Sequence, residues 1–179
     1  MAEAVPAPAE AQPPGRTAPP QRVPSWVPRS SLALCMAGVV VAGYLTWEHL
    51  SGSKTFACPQ TGTINCVKVT TSSYSAILGI PVAPLGLLYF CAVTVLCLPA
   101  VWQSPRPFLR ALRLGVVTAG VLLVLYLIWA ELYQINAVCL WCSAVHILTI
   151  GLFTIVVTAD ALYGPRRTRS TPEPQARSG

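Results

Sequence analysis

Charge is scarce in this chain. Lys, Arg, Asp and Glu together make up 10% of its 179 residues, against 54% hydrophobic residues and a mean hydropathy of +0.58. So little charge excludes an ordinary soluble domain and points to one membrane domain. A basic face with interleaved aromatic or polar side chains is also missing, so the net charge of +6 does not indicate a nucleic-acid partner. The positive residues sit instead at the ends of apolar segments. No internal repeat is visible. The first apolar run lacks a small-residue cleavage pattern and begins well into the chain, which argues for a retained anchor over a cleaved signal peptide.

What is present is organised by four apolar runs. Ahead of them, residues 1–30 carry Pro6, Pro8, Pro13, Pro14, Pro19, Pro20, Pro24 and Pro28 among Ala, Gln and Arg without apolar periodicity, so a disordered Pro-rich tail is expected there. The runs are Ser31 to Leu50, Ile80 to Val101, Leu109 to Leu132 and Leu140 to Tyr163. Each reaches the roughly 20 residues that a bilayer-crossing helix needs. Within hydrocarbon the backbone must satisfy its own hydrogen bonds, so the runs are read as helices. The expected fold is all-α: a four-helix transmembrane bundle over residues 31–163, followed by a disordered basic tail over 164–179. Pro81 and Pro84 suit a first helical turn, and Ala119-Gly120 offers a close helix contact.

Orientation follows from the basic residues. Arg16, Arg22 and Arg29 precede the first run, Arg106, Arg110 and Arg113 separate the second from the third, and Arg166, Arg167, Arg169 and Arg177 follow the fourth; only Lys54 and Lys68 lie on the other side. The positive-inside rule then puts both termini in the cytoplasm and the long loop between helices 1 and 2 outside.

Seven cysteines divide by this topology. Cys35, Cys91 and Cys97 fall inside apolar runs and read as small buried hydrophobes. Cys58 and Cys66 lie in the long outer loop, and Cys139 and Cys142 form a Cys-x-x-Cys at the outer start of the fourth run. All four occupy the compartment where disulfides persist. The helix N-terminus favours a thiolate there, and Pro59, Thr61, Gly62, Thr63 and Asn65 give the outer loop turn character. Two such pairs can trade oxidation through a mixed disulfide. A plain structural staple in the loop is the simpler reading. Zinc is disfavoured because the loop spacing does not match the usual companion of Cys-x-x-Cys, so no metal is expected. Trp141 reads as an interfacial anchor.

The segments A-C-P-Q-T-G-T-I-N-C-V-K-V-T-T-S-S from Ala57 to Ser73, L-G-I-P-V-A-P-L-G from Leu78 to Gly86, and C-L-W-C from Cys139 to Cys142 resemble the vitamin K epoxide reductase family. The likeness covers about Ser31 to Tyr163. It implies a four-helix membrane enzyme that reduces a quinone, menaquinone or ubiquinone, while oxidising thiols, in the manner of bacterial DsbB-like oxidases. It further implies disulfides Cys58–Cys66 and Cys139–Cys142, with Cys142 facing the quinone, Cys139 exchanging with Cys66, and Cys58 meeting an external thioredoxin-fold, DsbA-like protein. With only the Arg- and Pro-rich stretch after Gly164, that partner is expected to be a separate protein. The expected setting is a bacterial plasma membrane crossed several times, with the active site on the extracytoplasmic side.

Ser72 occupies the Ser/Thr position that the family places near the quinone. Two positions depart from the pattern. Val82 stands where many members carry Asn, removing a donor to a quinone carbonyl, and His146 stands where vertebrate enzymes carry Tyr. One helical turn after Cys142, His146 shares its face. Two other readings are a structural or assembly protein with inert disulfides and a true epoxide reductase running the same relay.

Overall fold

The computed structural model describes residues 23–52, 58, 61–77 and 79–164. Most of the expected terminal tails lies outside them. The described chain is mostly helical: α1 (Trp26–Ser51), α2 (Cys66–Thr70), α3 (Val82–Leu96), α4 (Pro99–Trp102), α5 (Pro107–Trp129) and α6 (Leu140–Tyr163). Between α2 and α3 a 3-10 turn (Ser73–Ser75) leads into a two-residue hairpin, β1 (Ala76–Ile77) against β2 (Ile80–Pro81), turned by Gly79 at a φ of 82°.

Among the described residues, three helices are long and apolar enough to cross a membrane. They span 26, 29 and 24 residues, the second counting α5 together with the π-helical turn Ala130–Ile135 that continues it. At about 1.5 Å per residue each exceeds the roughly 30 Å of a bilayer's hydrocarbon core. Their outward faces carry Val40, Leu122, Leu125 and Ile147, all exposed as lipid-facing residues should be.

The second run corrects the expectation. Instead of one helix over Ile80 to Val101, α3 covers 15 residues and stops at Leu96. Pro99 is the cause, since it lacks an N–H and forces Leu98 out of the helical region, to a ψ of 141°. The chain restarts as α4. Arg113 of α5 seals the break, its guanidinium 3.5 Å above the Trp102 ring and its Nη1 directed at the Leu96 carbonyl. At the other extreme, α1 begins at Trp26 rather than Ser31, with Pro28 tolerated in its first turn.

α1 packs against α3 and α6, and α5 closes the bundle against α6 and α3. Small residues set the spacing. A side chain at Gly38 would enter the ring of fully buried Phe90, and one at Gly120 would meet the Tyr89 hydroxyl at 2.5 Å. One buried cluster fills the half of the bundle near α4, with Cys35, Val93, Cys97, Val117 and Leu152. Cys91, by contrast, is exposed on the outer face of α3 and is not a core residue. Arg110 and Asp160 pair across α5 and α6 at this end. A second cluster at the opposite end gathers Cys66, Val69, Ile135, Ala137 and Cys139.

Candidate active site

Local capping builds the cysteine region. The Asn65 side chain accepts from the Lys68 N–H at 2.9 Å and starts α2 on Cys66. The loop that composition marks as turn is therefore ordered structure from Ile64 onward. A parallel bridge ties it to the segment before α6: the Asn65 N–H donates to the Val138 carbonyl at 3.1 Å, and the Val138 N–H donates to the Thr63 carbonyl at 2.9 Å. Cys66 and Cys139, each the next residue along, consequently enter the same buried cluster.

Cys58 and Cys66 are joined, with an S–S length of 2.03 Å and Cα atoms 6.3 Å apart. Cys139 and Cys142, for which the sequence comparison implies a disulfide, are free thiols in the structure. Cys139 is the N-cap of α6: its sulfur accepts from the Cys142 N–H at 3.3 Å, and its carbonyl accepts from the Ser143 hydroxyl at 3.0 Å. Its pKa is lowered, chiefly by the hydrogen bond from the Cys142 thiol and further by the N–H groups of Cys142 and Trp141; burial and the Glu131 carboxylate act against this. Trp141, read from sequence as an interfacial anchor, packs on the cysteine cluster and against Tyr44 with ring centroids 4.8 Å apart.

Beside Cys142 lies a largely apolar cavity of about 130 Å³, lined by residues of α1, α3, α5 and α6. Cys142, Ser72, Val82 and His146, scattered over the sequence, all line it. Cys139 and the loop disulfide do not. His146 is buried one turn below Cys142. Val82, the first residue of α3, contributes only an apolar wall. The Ser72 hydroxyl donates to the Val69 carbonyl at 2.8 Å, so its single proton is engaged and it faces the cavity as an acceptor.

These features match a family. The model of the vitamin K epoxide reductase family matches residues 30–157. The chain belongs to the vitamin K epoxide reductase family. It is accordingly an oxidoreductase of the membrane thiol–disulfide and quinone-reducing kind. The cavity is a largely apolar slot with few polar groups, the kind of lining common in small-molecule sites.

Two lining residues escaped the sequence reading. Glu131 is 5% exposed despite its charge, and the Tyr89 hydroxyl is buried with no hydrogen-bond partner among the described residues. Glu131 had a legible signal, since an acidic residue inside an apolar run is costly and usually functional. Tyr89 had none; its position depends on Gly120 of the facing helix.

Proposed function

We propose that the protein moves electrons from an extracytoplasmic thioredoxin-fold, DsbA-like protein through two cysteine pairs to a membrane quinone, and so supports disulfide formation in exported proteins. The observation that carries this is the juxtaposition of Cys66 with Cys139 in one cluster while Cys142, three residues on, lines the apolar cavity.

In this reading a thiolate of the partner attacks Cys58, partly buried against the cysteine cluster, and releases Cys66. Once a quinone has taken two electrons from the inner pair and closed the Cys139–Cys142 bond, Cys66 attacks Cys139 and frees Cys142. The partner's second thiol meanwhile releases Cys58, which then attacks Cys66 and releases Cys139. Each exchange breaks one S–S bond and forms another, and each completed pair of exchanges moves two electrons inward. A bound quinone supplies the two-electron acceptor. Cys142 presents its sulfur to the cavity, His146 offers a polar group one turn deeper, and Val82 and Leu123 exclude water. The basic residues Arg106, Arg110 and Arg113 at the far end of the bundle support a cytoplasmic location for that end and an outer location for the thiols.

The test is quinol formation by the purified protein in detergent, fed by a dithiol, with Cys58, Cys66, Cys139 and Cys142 each replaced by Ala. Loss of activity in the Cys139 and Cys142 variants, and loss in the loop variants only when the partner protein is the electron source, is the expected pattern. Retention of the wild-type rate by Cys142→Ala would refute the assignment.

A further inference from the structure

The geometry points to Glu131 as the group that carries protons between the Cys139–Cys142 thiols and a quinone in the adjoining cavity. This rests on the quinone-reducing reading above. Three observations converge on it. The α-helix α5 gives way at Ala130 to a π-helical turn that ends at Asn136, in the left-handed region at a φ of 50°. Such turns are rare and re-aim the side chains they contain. Here the turn buries Glu131 to 5% exposure and places it in the cavity lining with Cys142 and His146. Its backbone carbonyl also accepts from the Ala137 N–H at 3.2 Å, which ties the turn to the segment leading into Cys139.

The chemistry of the site needs such a group. Closing the Cys139–Cys142 bond releases two electrons and two protons from the two thiols, and reducing a quinone to its quinol consumes the same two electrons and two protons. Electrons pass directly from sulfur. Protons need a carrier, because most of the cavity wall is apolar and the Ser72 proton is already engaged. Of the titratable side chains in the lining, Glu131 lies on the turn that leads directly into the Cys139 segment, whereas His146 sits one turn deeper on α6. Glu131 takes a proton as a thiol is oxidised and releases it to the reduced ring oxygen, ending each transfer as the carboxylate it began as. The atoms balance without water in the cavity. The Arg110–Asp160 bridge is at the far end of the bundle, and among the described residues no Lys or Arg lines this cavity.

Glu131→Gln keeps the shape and hydrogen-bonding capacity of the side chain while removing the exchangeable proton, and Glu131→Asp restores a carboxyl. Full-length wild type and both variants, purified in detergent, are assayed with a dithiol reductant and a short-chain naphthoquinone or benzoquinone. Thiolate absorbance of the quinone-free proteins is titrated in parallel. Cys139, Cys142 and His146 on α6, His49 on α1, Tyr89 on α3 and Tyr74 all face this region, so the titration is read as the difference between variant and wild type. Quinone reduction by Glu131→Gln slows on the order of a hundredfold, Glu131→Asp recovers much of it, and the thiolate titration of Glu131→Gln moves to lower pH because a repelling charge has gone. Easier thiolate formation combined with slower quinone reduction is not what a structural role predicts. A wild-type rate in Glu131→Gln overturns the inference, as do equal losses in both variants with an unchanged thiolate titration. Failure of the wild type to reduce either quinone overturns the reading of the cavity itself, and that arm alone separates the two failures.

Discussion

Asn65 donates its backbone N–H to the carbonyl of Val138, and this 3.1 Å bond sets the loop cysteine Cys66 alongside the helix-capping cysteine Cys139. The two cysteines are otherwise separated by α3, α4 and α5. The pairing makes an exchange between them a matter of local motion. In the double variant Cys58→Ala, Cys142→Ala, each remaining sulfur lacks its own resolving partner. Mild oxidation should then trap a Cys66–Cys139 disulfide, visible by mass spectrometry of a proteolytic digest. Accumulation of both as unlinked thiols would remove the proposed relay.

The Cys139 thiol has a lowered pKa, so it should remain thiolate, and reactive, at pH values where an ordinary cysteine has taken up its proton. Reactivity is lost as pH falls through that depressed value. Because the Cys142 thiol is the principal cause, Cys142→Ala should shift the titration of Cys139 upward, toward ordinary cysteine. Thiolate absorbance of the reduced protein against pH reads this shift, and its absence would mean that the helix N-terminus alone depresses the value.

Gly38 is needed because α1 and α3 approach so closely over the Phe90 ring. Gly38→Ala overpacks that contact and should cost about 1 to 3 kcal/mol, seen as a lower Tm in detergent. Adding Phe90→Leu makes room for the methyl group and should recover part of the loss. If the double variant is as unstable as the sum of the two single changes, the contact is not the source of the cost.

Val82 gives the cavity wall no side-chain hydrogen-bond donor. Under the proposed function, Val82→Asn should lower the KM for a short-chain quinone by roughly 2- to 10-fold, the equivalent of one hydrogen bond worth about 0.5 to 1.5 kcal/mol. His146→Ala should raise KM in the same assay. Unchanged KM values in both variants would place the quinone elsewhere.

Much of the fold was legible in one dimension because hydrocarbon is a demanding solvent. A segment of some 20 apolar residues must satisfy its own backbone, so Leu140–Tyr163 could be bounded from sequence at both ends, and the three long helices follow from their composition. The second run misled because hydropathy is blind to the Leu98–Pro99 break, a local steric event. The loop's turn-rich composition is silent about the Asn65 cap and about the bridge to Val138, which is a long-range contact.

For the site, the sequence by itself determined which sulfurs exist, that they fall into two pairs, and that the motifs around them resemble one family. Only the tertiary structure decided that Cys66 meets Cys139, that Ser72, Val82, Cys142 and His146 share one cavity, and that Glu131 and Tyr89 join them. The physical reason is the same in each case. Composition and periodicity report what a residue prefers as its solvent. Which residues become neighbours depends on how a glycine, a bridge or a π-turn brings distant helices together.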